Sequence, residues 1–368
     1  MKLRTLSTAA VFTGVLVSLS LGATSAWAVP PPNGQTNVLA LAGSDTIQDV
    51  DTVLANKYNT FFKNPAPRDK AVNIPAFAPG TVTVPADAFC GARTYSNTPG
   101  PGQFAAPNGS SAGKAALQAS ADNGDGCIDI ARSSSGRGST DPATFEYYGF
   151  ARDAVSYSTF ASGPAPKNLT LAQLRGIYNC TFVNFSQVGG GAGPIQRYLP
   201  QDGSGTRSFF ITSVLGFDPS TISRTNCPAV KTFQENTGTT IPSGARSRAI
   251  APYSAAQYIA QANRVEADVR AGARIGAIGG KNPVLRKADG SFAPNTRVYR
   301  STSFPGARDV FHVLDVRSPS YRDALRFVGF DAAGPGALCS GAFNATIVRY
   351  GFVPNAKLSG AQGICRKS

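Results

Sequence analysis

The 368-residue sequence contains one histidine, one tryptophan and one methionine, and its six cysteines show no CxxC spacing. With His312 as the single histidine, the sequence argues against a zinc site, and we expect neither a metal ion nor a cofactor. Acidic residues are also scarce: 21 stand against 35 basic ones, for a formal net charge of +14. Such a charge favours phosphate-like groups, nucleic acid or an anionic surface as partners.

The basic residues do not form a dense patch. They are dispersed along the chain and are not interleaved with aromatic residues as in a nucleic-acid-binding surface. We therefore expect no nucleic acid partner.

Long apolar runs are absent except near the first residue. Lys2 and Arg4 precede an apolar run from Ala9 to Ala23, and Ala26-Trp27-Ala28 has the small-x-small pattern of a cleavage site. We predict a signal peptide at 1–28 and a secreted or periplasmic protein. No cysteine follows the cleavage site directly, so we expect no lipid anchor.

Three short clusters of Gly, Ser and Thr stand where helices are predicted to begin. Unpaired backbone N–H groups and the positive end of the helix dipole favour an anion at such positions, and hydroxyl groups add donors. We therefore predict one site for a small anion where several helix starts converge. The clusters are Gly43-Ser44-Asp45-Thr46, Gly109-Ser110-Ser111-Ala112-Gly113 and Asp202-Gly203-Ser204-Gly205-Thr206-Arg207.

Strand-like and helix-like segments alternate along the chain, which predicts an α/β fold with ligands at the carboxyl ends of strands. About 340 residues after the signal peptide correspond to roughly two domains. The predicted strands are 38–42, 127–131, 150–160, 195–199, 276–279 and 310–316, and the predicted helices are 46–62, 114–120, 169–178, 255–270 and 321–328.

Four of these motifs, in this order, resemble the phosphate-type periplasmic solute-binding proteins of ABC transporters. They are the Gly-Ser-x-Thr turn at 43–46, the Gly-Ser-Ser-x-Gly turn at 109–113, the Asp-Ile-Ala-x-Ser segment at 129–133 and the Asp-Gly-Ser-Gly-Thr turn at 202–206. The resemblance spans Leu39 to about Gly279. It implies a type II periplasmic-binding-protein-like fold, in which two α/β lobes joined by a hinge close over the ligand.

By the same resemblance, lobe 1 is discontinuous and comprises 36–158 and 304–368, whereas lobe 2 comprises 159–303. Six cysteines in an exported chain predict three disulfide bonds. Nearest-neighbour pairing keeps each bond within one lobe. This choice predicts Cys90–Cys127, Cys180–Cys227 and Cys339–Cys365.

The resemblance also implies the ligand-binding residues. Thr46 would bind the anion through its hydroxyl and backbone, Ser110 would add a second hydroxyl, and Ser204, Gly205 and Thr206 would form a third cradle. The complete predicted set is Ser44, Asp45, Thr46, Ser110, Ser111, Ser133, Ser134, Ser204, Gly205, Thr206 and Arg207.

Two positions depart from the family pattern. No acidic residue follows Ala131, where the family has a carboxylate that accepts the proton of hydrogen phosphate, and Pro200 replaces an arginine before the third cluster. Asp45 could take over the carboxylate role, although it could equally be a helix N-cap. The missing guanidinium could come from Arg132, Arg137 or Arg207.

Together these features predict a monomeric extracytoplasmic protein that captures a tetrahedral oxyanion, inorganic phosphate, for uptake through ABC transporter permease subunits, without catalysis. A surface or scavenging anion-binding protein outside any transporter is one alternative. A secreted serine hydrolase is another, because the segment from Gly109 to Gly113 matches G-x-S-x-G, with Ser111 as nucleophile and His312 as base. His312, however, alternates with apolar residues, as in a packed strand.

Overall fold

The computed structural model describes most of the chain after the predicted signal peptide. The described residues are 37–61, 70–77, 80–328, 330–331, 334–335, 338, 340–355 and 366–367. The predictions for 1–28, Cys339 and Cys365 lie outside these residues.

The secondary structure alternates between strands and helices, as the sequence predicts. The strands are β1 Val38–Gly43, β2 Lys70–Asn73, β3 Thr81–Val84, β4 Arg93–Ser96, β5 Phe104–Ala105, β6 Ile130–Ser133, β7 Phe145–Phe160, β8 Asn168–Leu169, β9 Gln196–Pro200, β10 Lys231–Phe233, β11 Ala249–Ser254, β12 Ala273–Ile275, β13 Ala277–Ile278, β14 Val284–Arg286, β15 Phe292–Pro294, β16 Ala307–Asp315, β17 Phe330–Asp331, β18 Gly334–Pro335, β19 Val353–Pro354 and β20 Arg366–Lys367. The α-helices are α1 Gln48–Phe61, α2 Ser110–Asn123, α3 Leu171–Tyr178, α4 Gly205–Phe209, α5 Ala255–Ala262, α6 Thr296–Tyr299, α7 Tyr321–Val328 and α8 Asn344–Arg349.

A long strand, β7, joins the two halves of the main sheet, whose order is β10-β9-β11-β7-β16-β6-β1-β2. The first part of β7 pairs with β16 in antiparallel orientation from Phe145 to Ala154. Its second part pairs with β11 from Val155 to Thr159. Parallel strands β6, β1 and β2 therefore extend one half of the sheet, and parallel strands β9 and β10 extend the other from β11.

Each half has its own apolar core. In the first half, the apolar residues that recur at helical spacing within the helix predicted at 46–62 are buried together with apolar residues of β1. They include Ile47, Val50, Leu54 and Tyr58. In the second half, α3 packs against the π-helical segment Phe210–Leu215 that continues α4. Within the described residues, no helix combines the length and the apolar character needed to cross a membrane.

The two predicted boundaries that differ most from the structure are the end of the helix at Arg270 and the start of the strand at Phe150, and tertiary contacts decide both. The helix predicted to reach Arg270 ends at Ala262: Asn263 exchanges hydrogen bonds with the backbone of Phe292, and Arg264 adopts a left-handed conformation with φ 56°. The strand predicted to begin at Phe150 begins at Phe145, because β16 continues the ladder to that residue.

Two of the predicted disulfide bonds are present. Cys90 is bonded to Cys127 with Cα atoms 5.1 Å apart, and Cys180 is bonded to Cys227 with Cα atoms 5.6 Å apart. The first bond ties the segment before β4 to the segment before β6, and the second ties the turn after α3 to the loop before β10. Each bond thus lies within one half of the sheet, whereas the third pairing stays a prediction.

Candidate functional site

The three hydroxyl clusters meet in the interior, at the carboxyl ends of β1, β6 and β9. Ser44 and Thr46 follow β1, Ser110 begins α2, and Ser204 is the N-cap of α4. Their side chains are buried together with two charged residues that the sequence did not single out. We call this set the central polar cluster; it consists of Ser44, Thr46, Ser110, Ser134, Ser204, Thr206, Glu235 and Arg308.

Hydroxyl groups in this cluster contact one another, and one of these contacts joins the two halves of the fold. The Oγ1 atoms of Thr46 and Thr206 are 3.2 Å apart. Ser44 Oγ donates to Ser134 Oγ over 3.0 Å, and the backbone N–H of Ser134 donates to Ser110 Oγ over 3.0 Å. The structure therefore brings these five predicted residues into one place.

Glu235 supplies a carboxylate to the cluster and was missed by the sequence analysis. It lies just after β10, is fully buried, and accepts hydrogen bonds from Thr46 Oγ1 at 2.5 Å and from Ser204 Oγ at 2.7 Å. Its backbone N–H donates to Oε1 of Gln201 at 2.8 Å, which fixes the segment. No motif surrounds Glu235, so only the three-dimensional arrangement reveals it.

Arg308, at the start of β16, is the guanidinium of the cluster. Its Nη1 donates to the carbonyl of Ser134 at 2.9 Å, and its Nη2 lies 3.4 Å from Thr46 Oγ1. Asp153 in β7 balances the charge through contacts of 3.0 and 2.7 Å, and both side chains are buried. The sequence held one signal for this pair: a carboxylate inside the apolar strand predicted at 150–160 requires a buried partner.

The three arginines proposed from the sequence are engaged elsewhere. Arg132 is buried and donates to backbone carbonyls, including those of Ser44 and Ile74, while burial lowers its pKa to about 10. Arg207 pairs with Asp202 and donates to the carbonyl of Pro200. Arg137 lies over the Tyr147 ring and donates to the carbonyl of Pro142.

Three other predicted residues lie beside the cluster. Asp45 accepts a hydrogen bond from Nε2 of Gln234 at 2.8 Å, and Ser44 rather than Asp45 occupies the N-cap position. Burial raises the pKa of Asp45 well above its usual range, and the charge of Glu235 raises it further. Ser133 donates to the carbonyl of Ser135, whereas Ser111 is exposed and lines a surface cavity.

His312 is placed for packing. Its Nε2 lies 2.9 Å from Oδ2 of Asp51, its ring stacks on Phe150 at 4.5 Å, and the side chain is fully buried. Its described contacts do not include Ser111, which is exposed on α2. The arrangement gives no support to the serine hydrolase alternative.

Gly205 is required by the close approach of α4 to the other half of the cluster. A Cβ atom at this position would lie 2.2 Å from Ser110 Oγ and 2.5 Å from Ser134 Oγ.

We expect Gly205→Ala to weaken anion binding at least about tenfold, because the hydroxyls would have to move. Calorimetry would measure this, with Gly244→Ala as control, since a Cβ at Gly244 meets no atom within 4 Å. Equal affinities in the two variants would contradict the expectation.

Comparison with known proteins agrees with this architecture. The sequence model described as "PBP superfamily domain" matches residues 93–304, whereas no curated protein matches the chain significantly. Among solved structures, a putative phosphate ABC transporter substrate-binding protein from Clostridium perfringens is 16% identical, with a TM-score of 0.57; the match covers 86% of this chain and 99% of that one. An ABC-type phosphate transport receptor from Vibrio cholerae is 18% identical, with a TM-score of 0.52 and coverages of 86% and 99%.

These neighbours share the mixed α/β fold of this chain. The family match spans more than half of the chain and includes Ser110, Ser134, Ser204, Thr206 and Glu235 of the central polar cluster. The chain therefore belongs to the PBP superfamily and has its two-lobed α/β fold.

Proposed function

We propose that this protein binds a tetrahedral oxyanion, inorganic phosphate, in the central polar cluster and delivers it to an ABC transporter without changing it chemically. The observation that carries the proposal is the convergence of buried hydroxyls from three segments on one buried guanidinium, Arg308. Both solved structures described above carry names that identify them as phosphate-transport proteins, and the first has phosphate bound.

The donors of the cluster suit an anion with several oxygen atoms. Arg308 supplies charge and a fork of N–H groups, which bind oxyanions more strongly than neutral donors do. The hydroxyls of Thr46, Ser110 and Thr206 can rotate toward an anion oxygen in place of their present partners. The first turn of α2 adds backbone N–H groups that lack partners within the helix.

Glu235 gives the proposed site a preference among anions. A buried carboxylate repels a fully ionised anion but accepts a hydrogen bond from one that keeps a proton. Hydrogen phosphate has such a proton at neutral pH, whereas sulfate has none. We therefore propose that Glu235, and not Asp45, recognises the proton of phosphate.

With the proposed lobe boundaries, both lobes contribute ligand-binding residues to the central polar cluster. With lobe 1 at 36–158 and 304–368, Thr46, Ser110 and Arg308 belong to lobe 1. With lobe 2 at 159–303, Thr206 and Glu235 belong to lobe 2. Closure of a monomeric, exported protein would then complete the site around the anion, and the closed form would be what permease subunits bind.

Isothermal titration calorimetry at pH 7 and low salt tests the proposal with phosphate and sulfate. We expect one phosphate per chain, bound more tightly than sulfate. Thr206→Val should weaken both anions about tenfold because it removes a hydroxyl donor. The exposed residue Thr212, which bonds within its own helix, provides the control variant Thr212→Val. Absence of heat with phosphate, arsenate and sulfate would refute the proposed function.

A further inference from the structure

A second group of acidic side chains lies beside the central polar cluster and lines a cavity of about 210 Å³. Asp45 precedes α1, Asp49 lies in its first turn, and Glu266 belongs to the segment that follows α5. The other polar residues of the lining are Gln48 in α1, Gln257 and Gln261 in α5, and Asn236 and Thr237.

Glu266 lacks the donors that a buried carboxylate normally has. Both of its carboxylate oxygens are buried and have no hydrogen bond of normal geometry among the described residues. Its side chain is within hydrogen-bonding reach of the carboxyl group of Asp49, which is itself an acceptor when ionised. Two carboxyl groups share a hydrogen bond only when one of them carries a proton. The contact between α1 and the segment after α5 therefore requires a proton.

The groups around this pair favour the protonated form of the two carboxyls. Burial raises the pKa of Glu266 to about 10, with further increases from the carboxylates of Asp49 and Asp45 and a small opposing effect of Gln261. Burial also raises the pKa of Asp49, against a lowering by Arg132. Among the other charged and titratable groups nearby, Glu235 acts on Asp45. Tyr253 interacts with Glu266 and Asp45, and Tyr350 interacts with Asp49 and Glu266. Arg270 and Arg349 act on these two tyrosines.

The two carboxyl groups come from opposite sides of the proposed cleft: Asp49 belongs to lobe 1 and Glu266 to lobe 2. We propose that Asp49 and Glu266 form a proton-linked latch, which holds the lobes closed while the two carboxyls share a proton and releases them when both ionise. This inference rests on the lobe boundaries of the proposed function but does not depend on the identity of the ligand.

The direction of the pH effect follows from linkage. In an open form, where water reaches Glu266, its pKa returns toward the ordinary value of roughly 4.5. Closing the lobes then takes up a proton at any pH between that value and about 10. Closure is therefore favoured at low pH and lost as the pH rises. The equilibrium constant for closure falls by at most about tenfold per pH unit, because one proton is taken up.

Small-angle X-ray scattering of the ligand-free mature protein at pH 5.5 and pH 9 tests the latch directly. We expect the radius of gyration of the wild type to increase at pH 9. Glu266→Gln should stay closed at both values, because a glutamine amide donates to Asp49 without a titrating proton. Asp289→Asn, which changes a fully exposed carboxylate, is the control and should behave like the wild type. A constant radius in the wild type, or opening of Glu266→Gln at the same pH, would overturn the latch.

Phosphate affinity provides a second readout. We measure the phosphate affinity of Glu266→Gln divided by that of the wild type. The ionisation of phosphate affects both proteins equally and drops out of this ratio. We expect the ratio to grow at least about tenfold between pH 6 and pH 8, because only the wild type loses the shared proton. Phosphate binding with a constant ratio would refute the latch and leave the proposed function intact. Opening in the scattering experiment without any phosphate binding would support the latch and refute the proposed ligand.

Discussion

Arg308→Met should reduce phosphate affinity at least about a hundredfold, because hydrogen bonds to charged groups contribute roughly 1.5–3 kcal/mol each and Arg308 is the guanidinium of the central polar cluster. Calorimetry at pH 7 measures the loss. Arg308→Lys keeps the charge but loses the forked donor geometry, so we expect an intermediate affinity.

Arg308→Met should also destabilise the fold. Asp153 would remain buried opposite the methionine, and removing one partner of a buried ion pair costs about 3–5 kcal/mol. Oδ1 of Asp153 would still accept hydrogen bonds from Ser254 Oγ and from the backbone N–H of Ala256. The double variant Arg308→Met with Asp153→Asn removes the uncompensated charge, so it should regain stability in urea unfolding without regaining affinity.

Arg207→Ala is the matched control for Arg308. Arg207 lies at the start of α4, close to the cluster, but pairs with the exposed side chain of Asp202. Such surface pairs contribute about 0–1 kcal/mol, and we expect near wild-type phosphate affinity. Loss of binding in Arg207→Ala, or wild-type affinity in a folded Arg308→Met protein, would assign the charge partner differently.

Glu235→Gln should have the largest effect on selectivity. The wild type is expected to bind phosphate in preference to sulfate because the Glu235 carboxylate accepts the proton of hydrogen phosphate and repels sulfate. Glutamine keeps an acceptor oxygen but removes the charge, so phosphate should bind about tenfold more weakly and sulfate more tightly. Titration of both anions into the same preparation at pH 7 gives the ratio.

Asp45→Asn is the control for this change. Asp45 also carries a buried carboxyl near the cluster, but it accepts from Gln234 and faces the cavity shared with Asp49 and Glu266. We expect its substitution to leave the ratio of phosphate to sulfate affinity close to that of the wild type. A relaxed ratio in Asp45→Asn, with an unchanged ratio in Glu235→Gln, would return proton recognition to Asp45.

The sequence by itself determined the features that arise from neighbouring residues. Gly and hydroxyl residues at 43–46, 109–113 and 202–206 predicted three helix starts, and each stands at the beginning of a helical segment. Apolar spacing predicted the buried face of α1, and the even cysteine count led to the bonds Cys90–Cys127 and Cys180–Cys227. The helix starts and the buried face are local because caps and periodicity depend on contacts within a few turns of chain, whereas the two disulfide bonds span 37 and 47 residues and were chosen by nearest-neighbour pairing.

Only the tertiary structure decided which charged groups complete the site. Arg308 and Asp153 meet because β16 pairs with β7 across a long stretch of intervening chain. Glu235 reaches Thr46 through the approach of the two halves of the fold. No local pattern encodes such meetings, since a buried charge is stable wherever a distant partner offsets its desolvation, and the partner is fixed by sheet pairing rather than by sequence spacing.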